Sequence, residues 1–306
     1  MRQTLILICK KLNIKRIFKA SKANRSQNNL FLGNFLYFFC IFVNQIQSYK
    51  TMVELYEKQI KETDDLIDIA ELLTEDSKFK KGVLKYISNP YDSDIERVGK
   101  GVFTVAVAKA EAPDSDKYDA AEAISIANCA AMARLACTGA RYLTTKNTDD
   151  RRLTSLGLIK DKKYITPMAF DSKGNTLYLF GKAPDENDYQ INDNQLEMLV
   201  KAIEKGYVTS AHYISTNGLF LSLVESAAPN QLGFDITSDA EMEDKDFLFS
   251  KSRYFAIVAV DEEQENDFVD YMFNNDINVT LLGHVTKGEL RMDELIFGHI
   301  TDYIPE

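Results

Sequence analysis

The chain has 306 residues, 45% of them hydrophobic, which is enough to bury one or two substantial cores and argues against general disorder. Its 46 acidic and 36 basic side chains leave a formal charge of -10, which excludes a general electrostatic footprint for nucleic acid. A small anionic ligand would have to be held by a local group of backbone amides or basic side chains, against the field of the whole chain.

Residues 8–26 carry many lysines and arginines and no acid, and Leu30 to Val43 is apolar apart from Gly33 and Asn34. That run of about fourteen residues falls short of the roughly 20 that a membrane span needs. Three readings stay open for residues 1–51: a targeting or anchoring segment, a structured extension, or a stretch outside the functional protein. On the last reading the protein opens at Met52, where the composition turns acidic and amphipathic. Leu55, Ile60, Leu66, Ile67, Ile69, Ala70 and Leu73 predict a helix over 54–73. Asn89-Pro90-Tyr91-Asp92 reads as a turn. Alternation at Phe103, Val105 and Val107 predicts a strand over 101–110.

An alanine-rich helix is expected over 119–136, small enough in its side chains to pack closely on a sheet, with Gly139 as its C-terminal cap. Cys129 in it and Cys137 directly after it read as small core residues. With Cys9 and Cys40 they form no Cys-x-x-Cys pair, and the histidines are only His212, His284 and His299. Neither a zinc site nor a disulfide framework is legible in that set. Strands follow at 142–145, 156–159, 165–169 and 176–180. Residues 194–205 form a helix with Leu196, Leu199, Val200 and Ile203 on one face, closed by Gly206. Leu219 to Ala227 is a helix stopped by Pro229. Tyr254 to Val260 is apolar enough to be buried on both faces, and Asp261 caps the helix that follows. Val279 to Leu282 is a strand, with Glu289 to Met292 returning beside it through a hairpin at Gly288. Short strands alternating with ten-residue helices make the fold α/β or α+β, a mixed sheet covered by helices.

Four segments carry a family resemblance. They are Ala211-His212-Tyr213-Ile214-Ser215-Thr216-Asn217-Gly218-Leu219-Phe220, then Glu225-Ser226-Ala227 with Leu232-Gly233-Phe234-Asp235-Ile236, then Phe247-Leu248-Phe249-Ser250-Lys251-Ser252-Arg253, and last Leu281-Leu282-Gly283-His284-Val285-Thr286-Lys287-Gly288-Glu289-Leu290. Together they resemble the C-terminal part of phosphoribosylformylglycinamidine synthase over about residues 194 to 303. Upstream, Ala120-Ala121-Glu122-Ala123 and Ala133 to Arg141 are similar to a helix and turn of the adjoining aminoimidazole-ribonucleotide-synthase-like N-terminal domain. In the family an Asn-Leu-Asn-Phe-Gly-Asn segment follows that turn. Here Thr145-Lys146-Asn147-Thr148 runs on toward Leu153 to Ile159, so that domain is expected to be truncated. The expected organisation is an extension at 1–51, a helical segment at 52–90, a truncated N-terminal-like domain at 91–170 and the C-terminal domain at 171–306.

The resemblance implies a cytoplasmic protein of purine biosynthesis, from a family that amidates formylglycinamide ribonucleotide with ATP and magnesium. The family's first synthase-like half and its glutamine amidotransferase domain find no match, which implies a homodimer or a complementing synthase subunit as partner. The family motif Asp-x-Ser-Asp-Gly-Gly combines metal-holding carboxylates with a glycine turn that offers amides to phosphate. Here it reads Tyr213-x-Ser215-Thr216-Asn217-Gly218. A phenol with a pKa of about 10 does not replace an ionised aspartate as a magnesium ligand, so no catalytic residue is assigned. His212, Ser215, Asn217, Gly218 and Arg253 are the candidates for nucleotide contact, and Asp235 is a weak candidate for metal. Each has a structural reading beside the functional one: a satisfied core histidine, a helix-start turn, a surface salt bridge for Arg253 with Lys251, and a cap or turn for Asp235. The functional choices are a divergent or fragmentary synthase not active alone, or a pseudoenzyme serving as a nucleotide-binding or structural partner.

Overall fold

A computed structural model describes residues 85–98, 103–113, 118–147, 151–183, 193–214, 218–250 and 252–304. The helix expected over 54–73 and the basic and apolar segment at 1–51 lie outside them.

Two sheets are built around one shared helix. The first sheet holds β1 (Asp94–Val98), β2 (Phe103–Glu111), β3 (Arg141–Asn147) and β4 (Arg152–Ile159), all antiparallel in the order β1-β2-β4-β3. Helix α1 (Ala120–Cys137) starts at a capping box: the Asp119 carboxylate accepts from the N–H groups of Ala121 and Glu122, and the Glu122 side chain accepts from the Asp119 N–H. These bonds use donors that the first turn leaves unpaired. Gly139, at φ 85°, ends the helix by donating its N–H to Ala136.

Ala127, Ala131 and Leu135 of α1 pack on Ala106, Ala108, Leu153 and Ile159 of the first sheet. On its other side Cys129, Ala133, Ala136 and Cys137 join the core of the second sheet. A helix buried on both sides is apolar all round, which is why α1 is also long and apolar enough to pass as a membrane span by length and composition.

The second sheet is mixed, with the order β11-β10-β7-β9-β5-β8-β6. Its strands are β5 (Thr176–Phe180), β6 (Ser210–Tyr213), β7 (Gly233–Ile236), β8 (Ala256–Val260), β9 (Val279–Thr286), β10 (Glu289–Met292) and β11 (Leu295–His299). Every residue of β8 is buried, as its continuous apolar run predicts. Helices α2 (Asp193–Lys205) and α5 (Glu265–Phe273) belong with α1 to the core on one face, through Leu199, Ile203, Phe268 and Met272. Helix α3 (Leu219–Ala227) is buried at all nine residues. Its Phe220 meets Phe234 of β7, Phe249 of α4 (Asp244–Phe249), Phe297 of β11 and Tyr303.

Two local expectations are corrected. Residues 165–169 form no strand. The segment contains Pro167 and spends its backbone groups on three neighbours: Thr166 donates to Thr138, Met168 donates to Pro90, and Pro167 accepts from Ala211. The Glu289–Met292 strand does not return beside β9, because β7 lies between them, antiparallel to β9 and parallel to β10. The connecting turn passes over the start of β7, where a Cβ on Gly233 would lie 2.2 Å from the Glu289 carbonyl oxygen and 2.4 Å from Thr286 Oγ1. Only a residue without a side chain allows that crossing.

Candidate functional site

Strand β6 leads directly into the 211–218 segment, and it lies at the edge of the second sheet. An edge strand presents unpaired backbone groups, and here they are covered. The Ala211 N–H donates to the Pro167 carbonyl, and the Tyr213 N–H donates to Asp92 Oδ2 at 2.8 Å. Asp92 comes from the Asn89–Asp92 turn, 121 residues upstream of Tyr213. Its other oxygen lies 2.8 Å from His212 Nδ1 and accepts from the Tyr86 hydroxyl at 3.3 Å. His212 Nε2 lies 3.0 Å from Glu225 Oε2 on α3. The Tyr86 ring stands edge-on to the imidazole, with centroids 5.2 Å apart. One buried network therefore joins the turn before β1, the edge of the second sheet and helix α3.

Asp92, His212 and Glu225 are all buried. Burial disfavours the charged imidazole, but the Asp92 carboxylate and the hydrogen bonds to Asp92 and Glu225 outweigh it and raise its pKa to about 9. Burial likewise opposes the charge on Asp92. The imidazolium, Arg134 and the Tyr213 N–H prevail and hold that carboxyl below its ordinary 3.8. His212 is thus a charged link between two carboxylates at neutral pH, and both its ring nitrogens are engaged. The carboxylates sit on opposite edges of the ring, so they do not converge on one ion. Among the described residues no group of three or more His, Cys, Asp or Glu side chains could hold a metal.

Tyr213 occupies the position of the first aspartate in the family motif. Its ring lies under the Arg134 guanidinium, 5.6 Å away, where burial, against the pull of Arg134, raises the phenol to about 12. The side chain is neutral and packs, partly buried, against the core beside α1, which does not fit a magnesium ligand. Burial also pushes the Cys137 thiol well above its ordinary range, in keeping with a small core residue.

Ser215, Asn217 and Lys251 lie outside the described residues. Gly218 precedes α3 with φ 94°, and a Cβ there would stand 2.6 Å from the Leu248 carbonyl oxygen and 2.8 Å from Phe249 Cα. Both the backbone angle and the approach of α4 demand glycine. Gly218→Ala is expected to cost about 1–3 kcal/mol, measured by urea denaturation. Arg253 is at the surface, 3.9 Å from Asp239 and 3.8 Å from Glu241, a weakly paired cation. Asp235 sits on β7 in register with Arg291, whose Nη1 is 4.0 Å away. The structure does not group His212, Arg253 and Asp235 around one point. Sequence reasoning missed Asp92, Tyr86, Glu225 and Arg134. Glu225 and Arg134 already stood within matched segments and Asp92 within the Asn89–Asp92 turn, but nothing local joined them to His212.

Residues 170–293, which include this segment, match the family described as AIR synthase related protein, C-terminal domain. Over part of its length the chain is similar to PurL. It is 30% identical over 159 residues to the phosphoribosylformylglycinamidine synthase subunit PurL of Carboxydothermus hydrogenoformans, an alignment covering 45% of this chain and 22% of that protein. Solved structures of T. maritima PurL complexed with FGAR and with ADP superpose with a TM-score of 0.62 each. They are 10% and 11% identical to this chain, covering 82% of it and 56% and 54% of theirs. At that identity the likeness is one of fold, and it reaches well beyond the matched domain. The chain spans about a fifth of the length of its curated relative.

Proposed function

We propose that this chain is a PurL-like protein of purine biosynthesis that keeps the synthase scaffold and serves as a partner module, without autonomous ATP-dependent amidation of FGAR. The observation that carries the reading is the Tyr213 phenol under Arg134, where the family motif has a carboxylate. A neutral phenol packed against the core supplies no charge to a metal, and phosphoryl transfer depends on metal and oriented donors to neutralise developing charge. The network beneath it supports the same reading. A catalytic histidine needs a nitrogen facing substrate, whereas His212 gives both to carboxylates. Its role on this proposal is to hold β6 and α3 in place.

The curated relative is a synthase subunit by name, and the solved relatives hold FGAR and ADP. On this proposal the protein is cytoplasmic and works beside a complementing synthase subunit or a second copy of itself. Any nucleotide contact at Ser215, Asn217 and Gly218 is made without magnesium.

The test is turnover by the purified full chain, given FGAR, ATP, magnesium and ammonium, with calorimetry against ADP with and without magnesium. ADP release is expected to stay at the protein-free rate, and any heat of nucleotide binding is expected to be unchanged by magnesium. Ammonium-dependent ADP release, or affinity that magnesium raises tenfold or about 1.4 kcal/mol, would sink the proposal.

A further inference from the structure

At one end of the first sheet, where β1 and β4 finish and β2 and β3 begin, lies a cavity of about 600 Å³. That is within the range of small-molecule sites. Its wall carries Arg97, Arg141, Lys160 and Lys162 against one carboxylate, Asp161, in a chain whose acids outnumber its bases. Asp161 is turned to its own backbone, accepting from the Lys163 N–H at 3.0 Å. Glu204 of α2 braces two of the cations from the side: Arg141 Nη2 lies 3.1 Å from each of its oxygens, and Lys160 Nζ lies 3.7 Å from one. A guanidinium held by one nitrogen keeps its other N–H groups for a second anion. Arg97 and Lys162 have no acidic partner among the described residues.

Leu158 and Ile159 add an apolar surface, and Phe103 stands beside them with 53% of its surface exposed. An exposed aromatic face next to clustered cations suits a ligand with a flat ring and an anionic tail. We propose that this cavity binds an organic phosphate, with the phosphate held by Arg97, Arg141 and Lys162 and the ring on Phe103. The site shares no residue with the 211–218 segment and does not depend on the function proposed above.

The experiment is calorimetry of the full chain in magnesium-free buffer with ADP, inorganic pyrophosphate and adenosine, using wild type, the double variant Arg97→Gln/Lys162→Gln, and Phe103→Ala. All three positions are exposed, and a thermal melt confirms that each variant is folded. ADP is expected to bind more tightly than pyrophosphate, and adenosine more weakly than either. The double variant is expected to weaken ADP by at least about tenfold, and Phe103→Ala to weaken ADP while leaving pyrophosphate unchanged. The proposal is overturned by absence of ADP binding at millimolar concentration, by ADP affinity that the double variant leaves intact, or by adenosine binding as tightly as ADP. The double variant keeps this result separate from the test above, because it leaves residues 211–218 unchanged.

Discussion

Asp92→Ala is expected to remove about 3–5 kcal/mol of stability, the usual cost of leaving a buried charge without its partner. The carboxylate does three things at once: it faces the His212 imidazolium at 2.8 Å, accepts from the Tyr213 N–H at 2.8 Å, and accepts from the Tyr86 hydroxyl at 3.3 Å. Alanine strips all three where the surroundings are dry, and the edge of the second sheet loses the group that covers it. Asp92→Asn keeps an acceptor oxygen but no charge, so its loss should be smaller. Urea denaturation of the two variants beside wild type measures both. A loss below about 1 kcal/mol for alanine, the scale of an exposed ion pair, would show that the network is not carrying the fold.

The second large effect is on pH. The folded pKa of His212 is raised from an ordinary 6.5 to about 9, so between those values the folded state binds a proton that the unfolded chain has released. Stability from this group is therefore full below pH 6.5 and is lost as pH rises through about 9, in total on the order of 3 kcal/mol. Asp92 acts in the opposite sense. Its folded pKa lies below 3.8, so its contribution is present above that value and disappears as pH falls through the folded one. Stability should peak between these limits, in weakly acidic solution. Denaturation series on wild type and His212→Gln check this: the variant should lose the decline on the alkaline side. Equal wild-type stability at both ends of the 6.5 to 9 interval would mean that the imidazole is buried neutral.

Much of the fold was legible because its elements declare themselves locally. Thr176–Phe180 and Ala256–Val260 are unbroken apolar runs, α3 ends at Pro229, and α1 carries its own start and stop in Asp119 and Gly139. What was missed lacks such marks. Strand β6 reads Ser-Ala-His-Tyr, with no β-branched residue, and it is a strand because β8 and the Asp92 turn complete it. Residues 165–169 looked like a strand because they contain apolar side chains, yet Pro167 has no N–H to give a ladder. The β9 to β10 hairpin was inferred from sequence adjacency, and no local pattern announces that β7 slots between the two. The site failed in the same way. His212 was visible as a lone histidine, but its Asp92 partner lies 120 residues away, at a distance that neither periodicity nor motif spacing spans.

The sharing of α1 between the sheets also bears on cooperativity. Separating the first sheet with its helix would lay open Cys129, Ala133, Ala136 and Cys137 on one side and the core around Phe180, Leu199 and Phe255 on the other. Retaining the helix on the second sheet would instead expose Ala106, Ala108, Leu153 and Ile159. Neither half can shed the other without unburying apolar surface, so the two sheets form one foldon. The amides of α1 are expected to open only with the whole.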